Sequence, residues 1–192
     1  VAPWKGKSAL DAVELMNAGW NARREHLHPL QRSHYIISDG GDQPNVVPQI
    51  ASVWYYIREM TAENILENFE KLNKTAEGAA LMTDTTVSHR VVGGAWPRHY
   101  NKPIAEAVNE NMKAVGMPIW DDKDQTFAKA VQALADTEQK GLEMEIAGIQ
   151  GPSEYPVSGG SDDIGDISWL VPTITLNYPA NISNLGGHNW KN

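Results

Sequence analysis

The sequence predicts a mixed α/β protein, and three observations lead to this fold class. Several segments carry apolar residues at helical spacing, and short runs rich in β-branched and aromatic residues predict strands between them. The hydrophobic content of 41% and charged content of 21%, over 192 residues, are those of an ordinary globular protein. The length allows one large domain or two small ones.

The first predicted element is a helix over residues 8–26. Ser8 and Asp11 resemble a capping box, and apolar residues follow at helical spacing, namely Leu10, Val13, Met16 and Trp20. His26 and His28 follow at its end. A His-x-His pair can bind a metal, but cations near a helix C-terminus are the favoured interpretation.

Two strands and a second helix follow. Residues 33–37 and 52–58 read as strands, and the Gly- and Pro-containing loop between them is too long for a tight hairpin turn. Thr61 caps a helix with an apolar stripe, and residues 85–92 read as a third strand. The predicted order is therefore α-β-β-α-β.

One additional strand before residue 1 would complete a ferredoxin-like, split βαβ arrangement, so the sequence predicts that fold without its first strand. The character of the chain changes around residue 97, and we place a boundary between residues 1–97 and 98–192. In residues 98–192 the sequence predicts a helix ending at Gly116, a helix capped by Asp124, a loop over 141–160 and a short strand over 173–176.

Composition excludes several classes of function. The net charge of −8, without a basic stripe, argues against nucleic-acid binding. No apolar run approaches the roughly 20 residues that span a bilayer. The absence of cysteine excludes disulfides and thiolate ligands, and fixes no compartment. Both ends of the sequence read as cut, so we expect a fragment from which an upstream targeting segment could be missing.

Three loop segments carry candidate chemistry. The segment 161–166 holds three carboxylates, which could bind a cation or form an acidic helix N-terminus, and spacing favours neither. His188 follows two glycines, which suits a metal ligand but is weak alone. Asn45 could recognise a substrate carboxylate or carbonyl, although an asparagine in a surface turn is the commoner case. No HExxH, Gly-x-Ser-x-Gly or phosphate-binding loop accompanies them.

Several stretches resemble a known family. They are APWKGKSALDAVELM, SDGGDQPNVVPQIASVWYYIRE, NFEKLNKTAEGAALMTDTTV and SDDIGDISWLVPT, which together span most of the chain. They resemble the two-zinc amidohydrolases and metallopeptidases with an inserted lid domain, a group that includes aminobenzoyl-glutamate hydrolase, carboxypeptidase G and the aminoacylases. The resemblance implies that residues 1–97 are most of a lid that forms a homodimer. Residues 98–192 would be the C-terminal part of the α/β catalytic domain.

The resemblance also assigns roles to five residues. His188 falls where the family has its C-terminal zinc ligand, and Asp163 matches an Asp of the family's acidic stretch, in which Asp162 here replaces Thr. Asn45 resembles the lid Asn that reaches substrate across the dimer. Arg58 matches the Arg that ends the next strand, as a substrate or a structural residue, and His34 stands at the start of the preceding strand.

The remaining parts of the family's site have no counterpart here. The N-terminal zinc ligands, the general-base Glu and the lid His are missing, so we expect the two zinc ions not to be retained and the fragment to be inactive alone. The rival hypotheses are a non-catalytic dimerisation or ligand-binding module and an unrelated ferredoxin-like binding protein. Partners are expected to be a small-molecule or peptide substrate, with no membrane. Localisation is expected to be cytoplasmic, or periplasmic or secreted if a signal peptide was removed.

Overall fold

The structure is a computed structural model, and it describes residues 2–153, 160, 162–187 and 190–191. It contains helices and one small antiparallel sheet, which confirms the mixed α/β class. The main elements are α1 (Ala9–Arg23), β1 (Arg32–Asp39), β2 (Ser52–Arg58), α2 (Ala62–Met82), α3 (Lys102–Val115), α4 (Asp122–Leu134) and α5 (Ile164–Leu170). Short 3₁₀ turns cover Pro3–Lys5 and Arg24–His26.

The chain divides into two compact units between Pro97 and Arg98, and the described residues just before α5 group with the first unit. The first unit contains α1, β1, β2 and α2. The second contains α3, α4 and α5. Each unit is described separately below.

Helix α1 begins where the sequence predicts. The Ser8 hydroxyl accepts a hydrogen bond from the backbone N–H of Asp11 at 3.2 Å, which satisfies one of the donors at the helix start. The helix buries Val13 and Trp20, and Trp20 has no exposed surface. The 3₁₀ turn Arg24–His26 extends it to the predicted end.

Strands β1 and β2 form an antiparallel hairpin. Tyr35 lies opposite Tyr55, and the register is regular as far as the pair of Ile37 with Val53. Asp39 then pairs with Ser52, so Ser38 is an extra residue in β1 and forms a bulge. The predicted strands are therefore confirmed, and β1 is longer at both ends.

The core of the first unit lies between α1, α2 and one face of the hairpin. The two helices approach closely, since a Cβ on Gly19 would lie 3.1 Å from Thr75 Cγ2. Small and aliphatic residues fill the contact from α2, namely Leu72, Ala76, Ala79 and Ala80. This small-residue face explains why the helix stripe at residues 65–76 packs against α1 instead of facing solvent.

Polar side chains fasten α1 to the hairpin within this core. Trp20 Nε1 donates to the Ser33 hydroxyl at 2.7 Å, and the Tyr55 hydroxyl donates to Asn17 Oδ1 at 2.5 Å. Ser33 and Asn17 are both buried. Buried polar groups need such partners, and these bonds fix which face of the hairpin meets the helix.

The predicted third strand is wrong for the structure as described. Residues 85–92 form no strand and are mostly exposed, although they stay near α2 through the edge-to-face contact of His89 with Phe69. A strand needs a neighbour to pair its backbone, and intrinsic β-preference alone does not supply one. The described sheet has two strands, so the complete ferredoxin-like arrangement remains a prediction.

The helices of the second unit are largely as predicted. The Asn101 side chain caps α3, which ends at Gly116 with a positive φ of 77°. The predicted cap of α4 is corrected by three residues. Asp121 accepts from the N–H groups of Lys123 and Asp124, and the Asp124 carboxylate accepts from the Asp121 N–H, which completes a capping box.

A buried amide ties the second unit together. Gln132 has no exposed surface, its Nε2 donates to the carbonyls of Gly141 and Ser183, and its Oε1 accepts from the Gly141 N–H at 2.8 Å. The strand predicted at residues 173–176 is wrong, because this stretch is irregular. The part of the second unit that the structure describes offers it no strand to pair with, and an apolar run gains its ladder only from a neighbour. The predicted loop after Gly141 is confirmed as far as residue 153.

Within the described ranges, no helix is both long and apolar enough to cross a membrane.

Candidate functional site

Asn45 lies in the loop that joins the two strands of the hairpin. The Val46 N–H donates to the Gln43 carbonyl at 3.0 Å, which closes a turn with Asn45 at its third position, exposed to solvent. Asparagine suits such a turn for purely conformational reasons. The turn nevertheless holds the amide of Asn45 away from the core, where it can meet another molecule.

The rest of this loop is anchored at both sides of the turn. Gly41 has a φ of +102°, and a Cβ there would lie 2.8 Å from Pro48 Cγ, so only glycine fits. The Ala9 N–H donates to the Pro48 carbonyl at 2.9 Å, which attaches the loop to the start of α1. These contacts hold the loop in one conformation, and the amide of Asn45 lies exposed in its turn.

His34 and Arg58 lie on the face of the hairpin that the helices leave open. His34 pairs with Tyr56 across the strands, Arg58 pairs with Arg32, and His34 is exposed. The Arg58 guanidinium carbon lies 5.8 Å from the Tyr56 ring centroid, and Trp54 meets Tyr56 edge-on at 5.5 Å. The open face of the hairpin thus carries the aromatic pair Trp54 and Tyr56, with the cationic side chain of Arg58 next to it.

The hairpin separates Asn45 from Arg58. Asn45 lies in the loop at one end of β2, and Arg58 is the last residue at the other end. A strand of seven residues spans about 20 Å, so a single small substrate cannot touch both side chains of one chain. His34 lies at the Arg58 end.

The acidic segment precedes and begins a short helix. Asp163 is exposed immediately before α5, and Asp166 lies in the first turn of α5. Carboxylates at a helix N-terminus are favourable for electrostatic reasons alone, so this placement agrees with one of the two interpretations left open. The helix is short, and its Ser168 hydroxyl accepts from the His99 N–H at 2.8 Å, which ties it to the chain before α3.

His188 lies outside the described residues. Within the described residues, no group of three or more histidine and carboxylate side chains could hold a metal ion.

One electrostatic feature was not anticipated by sequence analysis. A surface cavity of about 410 Å³ lies at the end of α1, lined by Arg24, Glu25, Leu27, His28, Pro29, Gln31, Arg32, Ser33 and His34. The sequence analysis interpreted His28, which lines this cavity, only as a cation near a helix end. That Arg32 and His34 face the same cavity depends on how the chain turns back into β1.

Burial also changes the pKa of one tyrosine, Tyr55, in the first unit. Desolvation raises the pKa of the Tyr55 hydroxyl far above its ordinary value, and the nearby Tyr35 adds to this increase. Tyr55 is bonded to Asn17, so the neutral hydroxyl is the form that the fold requires. Tyr55 is therefore a structural group that stays protonated at neutral pH.

Sequence comparison places the chain among homologues that are hydrolases and dipeptidases. It is 32% identical to one subunit of the p-aminobenzoyl-glutamate hydrolase of Escherichia coli (strain K12), over 99% of this chain and 44% of that protein. It is 29% identical to the Xaa-Arg dipeptidases of Mus musculus and Homo sapiens, over 90% of this chain and 33% of each of those proteins. No protein-family model matches the chain.

These relatives confirm the resemblance to the aminobenzoyl-glutamate hydrolase group, and the chain is a homologue of that group. The chain spans less than half the length of the curated relatives that it matches.

Proposed function

We propose that this chain is part of an amidohydrolase or peptidase that cleaves the amide bond of an N-acyl amino acid, a dipeptide or an aminobenzoyl-glutamate-like substrate. The observation that supports this most is the 32% identity, along almost the whole chain, to one subunit of a p-aminobenzoyl-glutamate hydrolase. Relatives named Xaa-Arg dipeptidase extend the substrate class to dipeptides.

In this proposal the two units have different roles. Residues 1–97 are most of a ferredoxin-like lid that forms a homodimer, and residues 98–192 are the C-terminal part of a catalytic domain. The lid role is supported by the hairpin, which is bonded to α1 on one face, and by the fixed loop around Asn45. We also propose a cytoplasmic location.

Zinc is the metal that this proposal implies. A catalytic zinc needs three protein ligands and an open position, and the described residues do not supply such a set. The part of the chain that the structure describes thus does not form a complete centre. The role proposed for His188 is one ligand of a centre whose other ligands lie elsewhere, and no catalytic step is assigned to the metal.

The substrate contacts proposed for this chain are polar. Asn45 carries an amide that can donate to a substrate carboxylate or carbonyl, and Arg58 carries a guanidinium suited to a carboxylate. His34 and Asp163 are two further proposed contacts, and both are exposed, His34 at the Arg58 end of the hairpin and Asp163 before α5. Since Asn45 and Arg58 lie about 20 Å apart in one chain, we propose that they serve different sites in the dimer.

A non-catalytic dimerisation or ligand-binding module is the second candidate. The exposed aromatic and aliphatic residues on the open face of the hairpin favour it, namely Ile36, Trp54 and Tyr56. Exposed apolar clusters of this kind commonly mark interaction surfaces. This candidate needs no metal ligand from the chain.

The deciding experiment compares this 192-residue chain with the longer reading frame that encodes it. Both are loaded with zinc and tested on aminobenzoyl-glutamate and on dipeptides that end in Arg. Hydrolysis by the longer protein alone supports the proposal. If the longer protein is folded and zinc-loaded yet hydrolyses neither substrate class, the binding-module candidate replaces it.

Asn45 is tested in that active protein with a matched control. The Asn45→Ala variant should lower kcat/KM by about tenfold or more, because one buried substrate hydrogen bond of this kind is worth roughly that factor. The control is Gln43→Ala, which alters an exposed neighbour in the same turn. Equal effects of both variants would show that only the shape of the turn matters.

A further inference from the structure

We infer that the cavity at the end of α1 is a binding site for a small molecule that carries an oxyanion, either a carboxylate or a phosphate. This cavity does not include the Asn45 loop or the segment before α5, and it shares His34 with the substrate contacts proposed above. Its volume of about 410 Å³ falls in the range of small-molecule sites and is larger than a single ion needs.

The first argument is the cationic lining. Arg24 and Arg32 bring two guanidinium groups to the cavity, and His28 and His34 bring two imidazoles. Guanidinium groups bind carboxylate and phosphate oxygens in a planar, two-bond geometry that suits both anions. The cavity is thus lined by several nitrogen donors in a chain whose overall charge is −8.

The second argument is that Arg32 has no counter-ion within the part of the chain that the structure describes. It is exposed and makes no ion pair there. It also lies directly opposite Arg58 across the hairpin.

The third argument concerns the two carboxylates nearby, Glu25 and Glu59, of which Glu59 keeps its Oε1 without a hydrogen-bond partner among the described residues. Glu25 Oε1 lies 3.2 Å from His26 Nε2. The Glu59 side chain is fully buried, accepts from the Met60 N–H at 2.8 Å and lies 3.8 Å from His28 Nδ1. Neither carboxylate pairs with Arg32. Arg24 Nη2 donates to the Ser33 carbonyl at 3.1 Å, and this hydrogen bond holds the Arg24 side chain in place.

The experiment titrates the 192-residue chain with two probes, inorganic phosphate and L-glutamate, at constant ionic strength. Binding is followed by amide chemical shifts and by calorimetry. We expect saturable binding with shifts concentrated at residues 24–34. Binding of phosphate alone assigns a phosphoryl ligand, and binding of glutamate alone assigns a carboxylate ligand.

The variants are Arg32→Gln and, as a matched control, Arg90→Gln, which removes the same charge from an exposed stretch outside the cavity. Arg32→Gln should weaken binding by about tenfold or more, and Arg90→Gln should leave it nearly unchanged. Arg24→Gln provides a second loss of a guanidinium, with far-UV circular dichroism to verify the fold. Absence of saturable binding of both probes, or equal weakening by Arg32→Gln and Arg90→Gln, would overturn the inference.

Discussion

Replacing Trp20 by phenylalanine should destabilise the first unit more than any exposed tryptophan replacement does. Trp20 is fully buried, and its Nε1 donates to the buried Ser33 hydroxyl at 2.7 Å. A phenylalanine side chain would leave that hydroxyl without its donor, at a cost of about 1–3 kcal/mol. The smaller ring also removes about 40 Å³ of side-chain volume, which adds about 1 kcal/mol at roughly 24 cal/mol per Å³ of cavity.

The expected loss is therefore about 2–4 kcal/mol in the free energy of unfolding, a large share of the roughly 5–15 kcal/mol typical of a domain. Urea unfolding followed by far-UV circular dichroism measures it. Amide hydrogen exchange in α1 assigns the change to the first unit. The control is Trp4→Phe, because Trp4 is 80% exposed, and its effect should stay within about 0.5 kcal/mol.

A double-mutant cycle with Ser33→Ala separates the hydrogen bond from the loss of volume. The two single variants should each be destabilising. Their combination should cost less than the sum by about 0.5–1.5 kcal/mol, the usual net worth of such a bond. Strict additivity, or a Trp20→Phe effect no larger than that of Trp4→Phe, would refute the role given to this contact.

Three further predictions concern other parts of the fold. Because burial raises the pKa of Tyr55, the stability of the first unit should be complete below about pH 10 and fall above it. One proton limits this fall to about 1.4 kcal/mol per pH unit, and the partial exposure of Tyr55 makes it smaller. Tyr55→Phe should remove that fall in denaturation measured against pH. Gly141→Ala should lower the melting temperature, since Gly141 has a φ of +81° and a Cβ would overlap Gln125 Oε1. Asp121→Ala should cost α4 about 1 kcal/mol of stability through loss of its cap, measured by urea unfolding.

Each of these has a control in the chain. Tyr56→Phe changes an exposed tyrosine and should leave the alkaline fall in stability in place. Gly78→Ala should be neutral or stabilising, because nothing lies within 4 Å of a Cβ there and the residue is helical. Asp122→Ala removes a carboxylate from the same turn without the capping bonds. If a control variant changes stability as much as the variant it is paired with, the physical reason given for that variant is contradicted.

The helices and the hairpin could be predicted because their signals are local. Ser8 and Thr61 mark helix starts through side chains that bond residues three positions later, and those bonds form in the structure. The bounds of β2 agree with its run of aromatic and β-branched residues. Asp124 was misassigned as a cap because Asp121 and Asp124 form the box together, and spacing alone does not say which residue stands outside the helix.

The predicted strands at 85–92 and 173–176 failed for a non-local reason. Both stretches have strand-like composition, but strand formation requires a partner, and the part of the chain that the structure describes pairs neither of them. The candidate site is limited in the same way. The exposed position of Asn45 agrees with the turn chemistry of its loop. The cavity beside Arg32 depends on how residues 24–34 turn from α1 into β1, a backbone path that the sequence pattern does not specify.

The bulge at Ser38 has a consequence for how the hairpin tolerates changes in length. Ser38 is the extra residue between two regular pairs, and its hydroxyl lies 2.7 Å from that of Ser52. Deleting Ser38 would leave every residue from Arg32 to Ile37 on its present face. Deleting His34 would reverse the alternation of the residues beyond it and turn Tyr35 away from the core. Of these two positions, Ser38 is therefore the one where β1 can lose a residue while its core-facing and solvent-facing side chains keep their faces.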